Sequence, residues 1–152
     1  MAVWVMRGGG ITSQEDTFIR SGSIGIYFGV DGDARRLDGD LRQEIEEFYL
    51  WWKPVQAHNM SPASLKGVVT KFLNQTKLFR DGPEIGDGVI MPRKASGGHT
   101  VRRGTVDSGY QFRDGADYPH IRTVIWETTD RPRASVPYLW TPSDQRTIIK
   151  VG

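Results

Sequence analysis

Asp117-Tyr118-Pro119-His120-Ile121-Arg122-Thr123-Val124-Ile125-Trp126 is the stretch on which the fold turns. Its second part, Ile121–Trp126, is rich in β-branched residues and reads as a strand. Pro119 leaves Tyr118 in the loop that feeds this strand, where an aromatic ring is free of the need to be core. Alternation puts Arg122, Val124 and Trp126 on one face. That face holds either a buried arginine or a tryptophan at a barrel mouth, with Trp126 favoured as core.

Working outward, Gly88–Met91, Thr100–Val106 and Tyr110–Phe112 have the same strand texture upstream, and Thr147–Val151 has it downstream. The glycine-bounded run Ser23–Val30 is a further strand, and Ala2–Arg7 is the first. Between them Thr12 and Glu15 form a capping-box pattern that predicts a short helix to about Arg20. After a polar loop over 31–39, Leu41, Ile45, Phe48 and Trp52 recur at helical spacing until Pro54. Ser61-Pro62 then opens a third helix whose apolar stripe is Leu65, Val68, Val69, Phe72 and Leu73. The order is strand, helix, strand, two helices, then strands. It predicts one α+β domain over 1–152, a curved or barrel-like sheet of five or six strands with about three flanking helices. Trp4, Ile24, Val89, Val106 and Val124 are expected in its core.

The 152 residues suffice for one core, and no apolar run reaches the ~18 residues of a membrane span. The opening residues read as a strand and not as a signal peptide. The absence of cysteine removes disulfides and thiolate metal sites, which suits a cytoplasmic protein. The net charge is only +2, but residues 77–152 carry 12 Lys+Arg against 9 Asp+Glu, and 9 of the 12 are arginine. Arginine forks onto phosphate and stacks on bases better than lysine does.

Catalytic patterns are missing. His58, His99 and His120 do not pair at metal-ligand spacing, and no phosphate-loop, dinucleotide or serine-elbow motif occurs. Asp114, Asp117 and Glu127 lack the accompanying lysine of a metal-dependent nuclease. The expectation is a non-enzymatic chain with no metal or cofactor.

Several of these segments together carry a resemblance: Trp4-Val5-Met6-Arg7-Gly8-Gly9-Gly10, Ile24-Gly25-Ile26-Tyr27, Ile85-Gly86-Asp87-Gly88-Val89, Arg103-Gly104-Thr105-Val106, and Tyr118-Pro119-His120-Ile121-Arg122-Thr123-Val124-Ile125-Trp126. The chain resembles the N-terminal domain of Mrr-type restriction proteins, related to PUA, EVE and YTH domains. The resemblance is closest over residues 117–126 and weakest across the helices. Where that family commonly has tryptophan after the Ile-Gly of the second strand, this chain has Tyr27 and Phe28.

The resemblance implies a PUA/EVE-like reader that takes an extruded, modified DNA base into an aromatic pocket as part of a restriction or defence system. No nuclease domain follows Gly152, so cleavage is expected from a partner or a missing domain. Lifting a base from a duplex costs a few kcal/mol, and aromatic faces return roughly 1–3 kcal/mol per stacked base. One of Tyr27 and Phe28 is expected as a cage wall and the other as core. Tyr118 is a second wall, and Tyr110 lines the mouth or packs beneath a loop. His120 donates to a base or phosphate, or caps its turn. Arg7 and Gly8 reach a phosphate or base edge, and Arg131 and Arg133 are phosphate contacts. The Arg7–Gly10 turn, Tyr27-Phe28 and the Asp117–His120 loop are expected to converge on one concavity. Trp51, adjacent to Trp52 on one helix, is left exposed as a contact surface. RNA or a nucleotide-like small molecule is the alternative ligand, and a regulatory protein-interaction subunit the further alternative, with the oligomeric state open.

Overall fold

Four consecutive apolar residues, Val3–Met6, form strand β1, and all four are buried because both faces of the sheet are covered there. The computed structural model describes residues 1–8, 14–36, 40–138 and 146–152. Helix α1 (Glu15–Ser21) leads into β2 (Ser23–Ile26), followed by α2 (Leu41–Trp52), α3 (Pro54–His58) and α4 (Pro62–Asp81). Then come β3 (Gly88–Pro92), β4 (Thr100–Val106), β5 (Gln111–Phe112), β6 (His120–Trp126), β7 (Arg131–Pro132) and β8 (Ile148–Lys150). Six strands form a path in the order β2-β6-β4-β3-β1-β8, with short β5 on β6 and β7 on β4. β1 and β3 run parallel and the other pairs are antiparallel. The sheet curls into a half-barrel, and the fold is α+β as expected. No helix among the described residues is long and apolar enough to cross a membrane.

Trp4, Ile24, Val89, Val106 and Val124 all lie in one buried cluster, which Phe18 of α1 and Phe79 of α4 complete. Val3, Val5, Ile90 and Val101 form a second cluster, and α2 and α4 share a third through Leu41, Ile45, Val69 and Leu73. Three readings need correction. β2 stops at Ile26, so Tyr27 and Phe28 lie beyond the strand and not on its alternating faces. α2 buries Leu41, Ile45 and Tyr49, not Phe48 and Trp52, because a strict four-residue spacing is what meets α4. Pro54 ends α2 as expected but also opens α3, a short helix absent from the sequence reading. The Ser61 cap is present, accepting from the Ser64 amide at 3.1 Å, whereas Thr12 lies outside the described residues.

Buried polar groups hold this half-barrel together. The Gln75 amide on α4 donates to Ile148 O at 3.2 Å and accepts from Ile148 N at 2.8 Å. It thereby caps the edge strand β8 as a neighbouring strand would. Asp87 accepts from Ala2 N, the Trp4 indole and Glu84 N at 2.9–3.0 Å. Burial pushes this carboxyl up, but the donated hydrogen bonds and the N-terminal amine outweigh it and hold the pKa below its ordinary value.

A carboxyl depressed in the folded state stabilises above its unfolded pKa of about 3.9 and loses that stabilisation as pH falls through the folded value. Denaturant titrations of the wild type should therefore show stability declining below about pH 4. Asp87→Asn should lose about 1–3 kcal/mol at neutral pH and show a shallower acid decline. Equal acid slopes for the two proteins would contradict this role for Asp87.

Candidate functional site

The residues read as an aromatic cage do gather, around the start of β6. β2 runs antiparallel to β6 with Ile26 opposite His120, which brings Tyr27 and Phe28 beside the loop that carries Tyr118. There each ring packs on a phenylalanine of a different helix. Phe28 stacks on Phe72 at 5.1 Å between centroids, and Tyr118 meets Phe18 edge-on at 5.3 Å. Tyr27 meets Phe48 edge-on at 5.3 Å, and its hydroxyl donates to Asp31 at 2.7 Å. Burial and the neighbouring Asp31 and Glu44 carboxylates push the Tyr27 phenol up to about 12.

His120 is only 1% exposed. Its Nε2 lies 2.6 Å from Val30 O, an acceptor only, so Nε2 carries the proton and donates. Nδ1 then accepts from the Tyr110 hydroxyl at 2.6 Å, and that hydroxyl accepts from Ala34 N at 3.1 Å. Burial lowers the imidazole pKa, in keeping with the neutral ring. The expectation that His120 donates to a base or phosphate is corrected: both nitrogens are already used, tying β6 to the 30–34 loop. Tyr110 packs beneath that loop, with the Arg35 guanidinium 5.3 Å over its ring.

The predicted cations lie at the other end of the sheet. Because β1 and β3 are parallel, Arg7 emerges beside Pro92 and Arg93, at the end of β4 where β7 pairs. β6 enters at the opposite end, past the pairing of Val106 with Val124. The expected three-way convergence of Arg7 with the aromatic segments is therefore replaced by two separate clusters. Gly9 and Gly10 lie outside the described residues.

At the cationic end, Arg7, Arg93, Lys94, His99 and Arg133 line a concavity of about 340 Å³. Arg93 is its keel, paired with Glu15 at 3.2 Å, Asp16 at 2.5 Å and Asp130 at 3.5 Å. Glu15 is buried and also accepts from Lys94 N with both oxygens at 3.1 Å. Gly8 makes this arrangement possible, since a Cβ there would come within 2.5 Å of Glu15 Cγ and 2.9 Å of Met91 Sδ. Arg133 N donates to His99 O at 2.8 Å and so joins the two loops of the rim. Arg131 is beside the concavity but not in its lining, its guanidinium held by Glu127 at 2.7 Å.

Of the nine predicted residues, Arg7, Gly8 and Arg133 thus meet at one place. Arg93, Lys94 and His99 were missed as site residues. The signal was the basic pair directly after a strand, followed by the Gly97-Gly98 turn that returns the chain across it. Asp114 and Asp117 are exposed in the loop before β6, whereas Glu127 lies beyond its far end, so the three carboxylates do not form one group. Among the described residues no three His, Asp or Glu side chains are placed to hold a metal ion.

This curled α+β domain with one cation-lined end has a family. The chain belongs to the family described as Domain of unknown function (DUF8426), which it matches over residues 4–151. No curated protein and no solved structure matches it.

Proposed function

We propose that the domain is a non-catalytic nucleic-acid-binding module that seats a backbone phosphate in the cationic concavity. The observation that carries this reading is the gathering of Arg7, Lys94, His99 and Arg133, from three separate chain segments, around one space of about 340 Å³. Arginine and lysine on phosphate supply most non-specific affinity for nucleic acid and make it salt-dependent. The resemblance to Mrr-type N-terminal domains supports duplex DNA with a modified base as the ligand, in a restriction or defence setting where a nuclease partner does the cutting. With Tyr27, Phe28 and Tyr118 each packed on a helix phenylalanine, selectivity for the modified base would require the half-buried Tyr118 to release Phe18.

The test is fluorescence anisotropy of labelled modified duplex, matched unmodified duplex and RNA across a salt series. Arg133→Ala should weaken all three and reduce the salt slope by about one. Arg131→Ala should have a smaller effect, because Arg131 stands outside the lining of the concavity. Tyr118→Ala should reduce only the preference for the modified duplex. Absence of binding at low salt, or an unchanged Arg133→Ala slope, would overturn the proposal.

A further inference from the structure

Helix α2 presents a second surface whose charge is opposite to that of the concavity. Phe48 sits among three rings: Tyr27 edge-on at 5.3 Å, Trp52 stacked at 5.7 Å and Trp51 tilted at 6.0 Å. Trp51 is 77% exposed and Val55 on α3 is 69% exposed. Trp51 cannot turn inward, because it follows Tyr49 by two positions, about 200° further around the helix. A contiguous exposed aromatic surface of this kind marks a contact site.

The surrounding charge selects the contact. Glu47 precedes Trp51 by one turn, Glu44 precedes Phe48 by one turn, and Asp31 holds the Tyr27 hydroxyl. Glu44 Oε2 is buried and has no hydrogen-bond partner among the described residues. Burial, then Asp31, Asp40 and Glu47, push the Glu44 carboxyl up. Of the nearby cations, Arg42 is turned to Thr70 on α4 at 2.9 Å. Lys53 lies 4.5 Å over the Trp52 ring, so one indole face already draws the chain's own cation.

We propose that this face docks an arginine-bearing segment of a protein partner, its guanidinium laid on Trp51 and paired with Glu47. A planar guanidinium can stack on the indole and fork onto a carboxylate at once, which an ammonium cannot. Phosphate backbones and anionic membranes meet repulsion here, which keeps this surface distinct from the proposed nucleic-acid end.

Tryptophan fluorescence and calorimetry with a short arginine–glycine peptide test the proposal, against lysine–glycine and glutamate–glycine peptides and duplex DNA. The arginine peptide should bind best, and Trp51→Ala should weaken it about tenfold. Glu47→Gln should weaken it and flatten its salt dependence, while both variants keep wild-type affinity for DNA. Failure of the arginine peptide to bind, or equal binding by Trp51→Ala, overturns the proposal. So does loss of DNA affinity in Trp51→Ala, which would assign the face to nucleic acid. Self-association of the wild type that Trp51→Ala abolishes would assign it to a second copy and overturn it equally.

Discussion

Arg122→Leu should destabilise the domain by about 3–5 kcal/mol, measured by denaturant unfolding. The side chain is only 2% exposed on strand β6. Its Nε donates to Phe79 O at 2.9 Å and its Nη2 to Arg80 O at 2.6 Å, carbonyls in the last turn of α4. A longer bond of 3.4 Å reaches Ser108 O. The last carbonyls of a helix have no partner within it, and the dipole there favours a cation. Arg122 therefore fastens the long helix to the sheet by its open end. Burial lowers its pKa while Asp81 and Asp87 oppose that shift. Leucine would fill part of the volume but leave buried carbonyls unpaired. Arg122→Lys should recover only part of the loss, because one nitrogen cannot reach both carbonyls in the guanidinium's geometry. A loss under about 1 kcal/mol for Arg122→Leu would mean that water replaces the guanidinium.

Gly29→Ala should cost about 3–5 kcal/mol by the same measurement, from two additive sources. The residue has φ of 92°, a conformation that side-chain-bearing residues rarely adopt. A Cβ at that position would also overlap Phe48 Cβ and Cγ on α2. Phe48 Cβ is one bond from the helix backbone, so α2 itself would have to move. Combining Gly29→Ala with Phe48→Ala should remove the contact with Phe48 Cγ but not the backbone strain or the Cβ contact. The double variant is thus expected to lose less than the sum of the single losses. Strict additivity would show that Phe48 Cγ contributes nothing to the cost. Because Phe48 supports Trp51, the emission of that indole should shift in Gly29→Ala as well.

The buried polar residues belong to the fold and not to the site. Asp87 directly precedes β3, and His120 and Arg122 stand on β6. In the structure each binds backbone amides or carbonyls in another part of the chain. Such partners exist only in one arrangement of the backbone, so these residues report the fold. They do not report a ligand. Arg93, Lys94 and His99 were read past because a basic pair and a glycine turn look like solvated surface until β1 delivers Arg7 beside them.

By itself the sequence determined the α+β class, strands over 88–91, 100–106 and 121–126, the Ser61-Pro62 helix start and five members of the central cluster. Those are consequences of alternation, capping and β-branched composition, which act over a few residues. Tertiary structure alone decided three things: which helical stripe of α2 faces α4, that Arg122 is buried against a helix end, and which predicted residues meet. Leu41-Ile45-Phe48-Trp52 and Leu41-Ile45-Tyr49 both satisfy a period near 3.6. Only the direction of the packed partner chooses between them. Likewise Arg7 is as far from Tyr118 as from Arg133 in any local reading. The parallel pairing of β1 with β3 sends it to Arg133, because strand direction is a property of the assembled sheet and not of either segment.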